Sequence, residues 1–260
     1  MNSLPDEPLV SFLLTANPDL NGRVKDAMVS KMPEVARQIQ CSPALEIEGK
    51  IPEVPLEDYD KAIFVSSSAV DYALKHSQSI APLLPERLFA IGPKTAERLK
   101  AEGYQEVEIS EGFTSEDLLK HSDLQSLSGE HILLVKGEGG RELLATELKE
   151  RGANIYPVEV YRRRGLFLQL DIERLKQTRS LVIMVSSVSA AANVLDSLNH
   201  QGVSDMPRCW VTVSRRIADA LEEQEEPVLN CDSIDAQDIA SAMLSITDTL
   251  MPDSDRNRRS

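Results

Sequence analysis

The side chains in this sequence that could hold an anion come in short clusters of hydroxyls and glycines. These are Ser66-Ser67-Ser68, Gly92-Pro93-Lys94-Thr95, Thr114-Ser115, Gly137-Glu138-Gly139-Gly140-Arg141, Ser186-Ser187 and Ser214. Hydroxyls and open backbone N–H groups at a helix start bind carboxylate or phosphate, and the helix dipole adds to the attraction. A lone serine or threonine there is most often only a helix cap, so the weight lies in the repetition. Lys94, Lys136, Arg141, Arg215 and Arg216 fall in the same clusters and supply cationic partners. Other chemistries are poorly served. His76, His121, His131 and His200 have no metal-ligand spacing and none sits in a cluster, so neither a metal centre nor a Ser/His/Asp triad is expected. The glycines of 137–140 lack the third spaced glycine of a dinucleotide fingerprint, and no GxxxxGK[ST] occurs, so no nucleotide cofactor is expected.

The clusters recur because a block of the chain occurs twice. Phe64-Val65-Ser66-Ser67-Ser68-Ala69-Val70 is answered by Met184-Val185-Ser186-Ser187-Val188-Ser189-Ala190. Ile91 to Leu99 is answered by Val213 to Leu221, and Ser115 to Leu119 by Ala236 to Ala240. Ser66 and Thr95 are 29 residues apart, Ser186 and Ile217 31; the next intervals are 20 and 19. Landmarks at nearly constant separation predict two similar domains with a site between them.

The elements that must position these residues alternate between strand and helix. Short apolar runs at Leu9–Leu14, Ala62–Val65, Leu88–Ile91, Val107–Ile109, His131–Val135, Leu181–Val185, Cys209–Val213 and Val228–Asn230 read as buried parallel strands, each leading to a helical segment. Repeated strand–helix units predict parallel sheets covered by helices, with ligands gathered outside the strand C-termini. The order is short unit, long block, short unit, long block, which by itself leaves open which pieces pack together. Extended stretches at Ser42–Ile47 and Ile155–Tyr161 contain Pro43 and Pro157, which suit linker or edge strands, and Arg162-Arg163-Arg164-Gly165 reads as an exposed exit.

The 260 residues suffice for two cores, with 42% hydrophobic residues. A formal charge of −14 argues against a nucleic-acid partner. No apolar run approaches the roughly 20 residues of a membrane span. Scattered Cys41, Cys209 and Cys231, with no secretory signal at the N-terminus, suit a cytoplasmic protein. The polar segment 251–260 is expected to be disordered.

Taken in order and spacing, the motifs Ile63-Phe64-Val65-Ser66-Ser67, Ala90-Ile91-Gly92-x-x-Thr95-Ala96, Leu133-Leu134-Val135-Lys136-Gly137-x-Gly139-Gly140-Arg141 and Val158-x-Val160-Tyr161-Arg162 resemble the uroporphyrinogen-III synthase family over the chain to about Leu250. The resemblance implies two similar flavodoxin-like three-layer α/β domains with parallel sheets, joined by a two-stranded connector. It places residues 1–39 with 165–250, makes 47–156 the other domain, and leaves 40–46 and 157–164 as connector strands. It implies a cofactor-independent lyase that closes hydroxymethylbilane to uroporphyrinogen III, with loss of water and inversion of ring D through a spiro intermediate. The substrate-binding set carried by the motifs is Ser66, Ser67, Thr95, Ser115, Lys136, Gly137, Arg141, Ser187 and Ser214. Tyr161 matches a connector tyrosine suggested as general acid. The implied partner is the linear tetrapyrrole alone, bound by a monomer, with transient handover from hydroxymethylbilane synthase.

Two departures stand out. Many members carry Thr-Arg-Pro after the first strand, whereas this chain has Thr15-Ala16-Asn17-Pro18; and Ile217 stands where the second copy of Thr95 is expected. The alternatives are a non-catalytic two-lobed protein that binds a small anion, and an inactive paralogue that keeps only the fold.

Overall fold

The computed structural model describes residues 10–75, 80–110, 112, 114–139 and 142–250. The 251–260 tail and the cluster residues Gly140 and Arg141 lie outside the described residues.

The described residues form two compact units, one of those up to 46 together with those from 164 on, and one of those within 47–163. In the first, β1 (Val10–Leu14) runs into α1 (Pro18–Lys31) and returns as β2 (Ile39–Cys41). The unit resumes with α6 (Ile172–Leu175), β9 (Ser180–Val185), α7 (Val188–His200), β10 (Arg208–Thr212), α8 (Arg215–Glu222), β11 (Val228–Asn230) and α9 (Ala236–Leu250). The sheet order is β11-β10-β9-β1-β2, all parallel. Renumbered within the unit this is 2-1-3-4-5, the flavodoxin-like order.

The second unit contains β4 (Lys61–Phe64), α2 (Ser67–Lys75), β5 (Leu88–Ala90), α3 (Pro93–Ala101), β6 (Val107–Ile109), α4 (Ser115–Leu118), β7 (His131–Gly137), α5 (Leu143–Glu150) and β8 (Asn154–Gly165). Its sheet order is β3-β8-β7-β4-β5-β6, where β3 is Leu45–Gly49. From β8 to β6 the pairs are parallel, and the order is the same flavodoxin-like one begun at a different strand. Duplication thus has a direct topological meaning: the first short unit completes the second long block, and the second short unit completes the first.

Both sheets are covered on two faces, and strand alternation shows why. Val10, Phe12 and Leu14 of β1 pack with α1 and α9 residues such as Val24, Met28, Ile239 and Met243, whereas Leu13 joins Val194, Leu198 and Leu221 on the other face. In β4, Ala62 and Phe64 pack with Val70, Ala73 and Leu99, whereas Ile63 packs with Leu144 and Leu148.

Two sequence expectations are refined. The stretch read as one extended run at Ser42–Ile47 is the junction of two strands, β2 and β3, interrupted around Pro43, which has no N–H to offer a ladder. The arginine run is exposed and leaves the second unit as expected, but within the long strand β8 rather than a loop, with Arg162 paired to Glu48 at 2.9 Å and Arg164 paired to Glu46. The chain crosses between the units along these neighbouring strands, at 46/47 and 163/164.

Candidate active site

In the second unit the chain starts at β4, moves outward to β5 and β6, and returns to pair β7 on the opposite side of β4. Where order reverses, the strand C-termini diverge and leave a crevice. A cavity of about 360 Å³ opens there, lined by Ser66 after β4, Lys136 and Gly137 at the end of β7, Thr114 and Ser115 at the start of α4, and Tyr161 and Arg163 of β8.

Tyr161 reaches this crevice through a bulge. Lys136 pairs with Glu159 but Gly137 pairs with Tyr161, so Val160 is an extra residue in β8. Strict alternation would send Val160 and Tyr161 to opposite faces. With the bulge both pack into the same core cluster, and the phenol is re-aimed toward the site. Its ring is 3% exposed and lies against the Gly137 backbone so closely that a Cβ there would sit 2.4 Å from Cζ. Only glycine leaves that space.

The Tyr161 hydroxyl lies 3.3 Å from Ser66 Oγ and accepts a 3.5 Å contact from Arg163 Nη2. The Arg163 guanidinium carbon stands 5.6 Å from the ring centroid, and the Tyr72 ring flanks the other ring at 5.8 Å. Ser66 Oγ also accepts from the Ala69 N–H at 3.1 Å, so the hydroxyl is fixed by the helix it starts. Lys136 is 7% exposed and donates to Glu142 Oε1 at 3.1 Å. A buried ammonium on the cavity wall is a strong carboxylate partner. Thr114 caps α4, accepting from the Asp117 N–H at 3.2 Å and donating to its carboxylate at 2.7 Å. Hydrogen bonds from Lys120 and Thr114 hold the Asp117 carboxyl below its ordinary range.

Of the residues singled out in the sequence, Ser66, Ser115, Lys136, Gly137 and Tyr161 meet at this cavity. Ser67 is the first residue of α2 and is not among the lining residues. Thr95 is 3% exposed and donates to the Ile91 carbonyl at 3.0 Å, so its hydroxyl is engaged within the unit, one layer behind the cavity wall formed by Ile91. Arg163 is the functional candidate that sequence reasoning passed over. Its signal was available, because residues i and i+2 of a strand share a face and Tyr161 was already in view.

The first unit carries the other copy of the pattern. Ser187 caps α7, accepting from the Ala190 N–H at 3.1 Å. Ser214 precedes α8 and makes no side-chain cap bond. Arg215 is drawn to Asp219 at 2.6 Å and to Glu222 at 2.5 Å on its own helix, which raises its pKa. At this unit's order reversal, between β1 and β9, Thr15 Oγ1 donates to the Met184 carbonyl at 2.7 Å. Asn17 caps α1, accepting from the Leu20 N–H at 2.9 Å. Arg23 pairs with Asp19 at 3.2 Å.

Comparison with known proteins identifies the family. The uroporphyrinogen-III synthase HemD family matches residues 27–237. The chain is 38% identical to uroporphyrinogen-III synthase of Proteus mirabilis over 120 residues, 45% of this chain and 59% of that protein. It is 29% identical to the Salmonella typhimurium enzyme over 76% of this chain and 86% of the other, and 31% identical to that of Escherichia coli over 65% and 71%. In fold it is similar to uroporphyrinogen-III synthetase from Helicobacter pylori, with a TM-score of 0.59, 14% identity, and 93% and 99% of the two chains covered. A Thermus thermophilus uroporphyrinogen III synthase variant gives 0.56 at 17% identity, covering 92% and 98%. The duplicated flavodoxin-like topology and this extent of match together place the chain in the uroporphyrinogen-III synthase family.

Proposed function

We propose that this chain is a uroporphyrinogen-III synthase, closing hydroxymethylbilane to uroporphyrinogen III with loss of water and inversion of ring D. The observation that carries the site reading is the cavity at the order reversal of residues 47–163, where a buried tyrosine, a buried lysine, an arginine and a helix-start serine converge. Its 360 Å³ suits one substituted pyrrole with its acid arms better than a whole linear tetrapyrrole. Lys136 and Arg163 bind carboxylate there, and Ser66 and Ser115 add hydroxyl contacts.

In the first step the hydroxymethyl C–O bond breaks, its electron pair leaving with oxygen, as the pyrrole nitrogen pushes its own pair toward the methylene carbon that stays on the ring. Tyr161 donates its phenolic proton so that hydroxide leaves as water. Ser66 and Arg163 then face the phenolate oxygen. Since the pyrrole already drives this expulsion, the acid contributes modestly. The larger task is conformational: ring D must attack through its substituted carbon, and holding a floppy polycarboxylate in that geometry removes the competing closure. The reading includes a monomer that receives hydroxymethylbilane directly from its synthase, because free substrate closes unaided to the uninverted isomer.

The test is isomer analysis. Purified protein, supplied with freshly generated hydroxymethylbilane and no cofactor, should yield the type III product. Type I product alone would refute the proposal, leaving the binding protein or inactive paralogue.

A further inference from the structure

The wall of the cavity contains an acid that ought to repel this substrate. Glu138 lies between Gly137 and Gly139 in the turn after β7 and lines the cavity with both glycines. A carboxylate there opposes a polycarboxylate, on a chain whose net charge is already −14. The structure also shows what offsets it. Lys50, just past β3, places its Nζ 2.9 Å from Glu138 Oε2 and 3.0 Å from Glu159 Oε2. The Glu159 carboxylate accepts through its other oxygen from the Gly139 N–H at 3.3 Å, and the Glu138 N–H donates to the Tyr161 carbonyl at 2.7 Å. One ammonium therefore ties both carboxylates to the turn that forms the wall, and the turn to the strand bearing Tyr161.

We propose that Lys50 is a positioning residue for substrate binding: it holds the Gly137–Gly139 turn in place and draws the Glu138 carboxylate out of the substrate's path. The inference rests on the proposed synthase reading but adds a residue outside the cavity to it. A surface ion pair contributes little to fold stability, so the consequence lies in binding. Without Lys50, Glu138 swings free and the turn loses the bridge through Glu159. Substrate then meets a freed negative charge at the mouth.

The experiment compares wild type, Lys50→Met, Glu138→Gln and the double variant by steady-state kinetics and isomer analysis, at low and high salt. Lys50→Met should raise KM by roughly threefold or more at low salt, with kcat little changed and a larger share of type I product. Salt should shrink the effect. Glu138→Gln in the Lys50→Met background should bring KM back toward wild type, a rescue that a merely structural role for Lys50 would not give. An unchanged KM in Lys50→Met, or a rise that Glu138→Gln leaves in place, would overturn the inference. Thermal melts of all four keep a folding defect apart from a binding one. If wild type itself makes no type III product, the synthase reading fails instead.

Discussion

Gly137→Ala offers the sharpest test of how the site is built. The added Cβ would lie 2.4 Å from Tyr161 Cζ, 2.5 Å from Cε2 and 2.8 Å from the hydroxyl oxygen, whereas ordinary contact begins at 3.4 Å. The ring or the strand must therefore give by about 1 Å, in a core where Tyr161 is 3% exposed and flanked by Tyr72. Overpacking of this kind costs about 1–3 kcal/mol, which corresponds to a fall in Tm of roughly 2–8 °C. The same displacement moves the hydroxyl away from Ser66 and Arg163, and a 1 Å misplacement of a reacting group can cost about 100-fold in rate. Differential scanning fluorimetry and an assay of type III product measure the two effects on one sample. The control is Gly137→Ala in a Tyr161→Leu background, where the smaller side chain leaves room and the stability cost should largely vanish. Wild-type Tm and turnover in Gly137→Ala, or an equal cost in both backgrounds, would refute the close-packing account.

Further expectations follow from other contacts. Tyr161→Phe keeps the ring packing and removes the proton, so kcat should drop about tenfold or more with little change in KM; full turnover would remove the general-acid role. Ser187→Ala deletes a cap bond and should cost about 1 kcal/mol in urea unfolding, while Ser214→Ala, which loses no cap bond, should stay within about 0.5 kcal/mol; equal losses would contradict the assignment. At Glu226, burial pushes the carboxyl up, but hydrogen bonds from Arg208 and Trp210 and the Arg208 charge outweigh it and hold it below the ordinary value. Its contribution is therefore present above the unfolded pKa and fades as pH falls through the lower folded one. Glu226→Gln should cost about 1–3 kcal/mol at pH 7, with the gap to wild type narrowing under acid; a gap independent of pH would count against the network.

Much of the architecture was legible because it is written locally. Apolar runs such as His131–Val135 and Leu181–Val185 lie in buried strands, since a buried parallel strand needs continuous hydrophobicity; Val107–Ile109 and Val228–Asn230, also read as buried, are strands with the expected bounds but stand at the sheet edges, half exposed. The paired landmarks carried the duplication. Part of the site was legible too: Ser66, Lys136 and Gly137 lie at strand ends, where parallel sheets gather ligands. Arg163 was passed over inside the run Arg162-Arg163-Arg164, although its place two residues after Tyr161 carried the signal. Its two neighbours are engaged by Glu48 and Glu46 across the ladder, while the middle arginine, on the opposite strand face, lines the cavity with Tyr161. Thr95 shows the converse. It has the right residue type at the right spacing, yet its hydroxyl is buried against Ile91.

What the chain determines by itself is the identity and order of its elements, because apolar periodicity, helix caps and prolines act over a few residues. What only the folded molecule decides is which short unit completes which block, and where Tyr161 points. The first depends on strand pairing across more than a hundred residues of chain, as when Val10 meets Ser180. The second depends on a single extra residue in β8 opposite Lys136 and Gly137, since a bulge reverses the facing of every side chain beyond it.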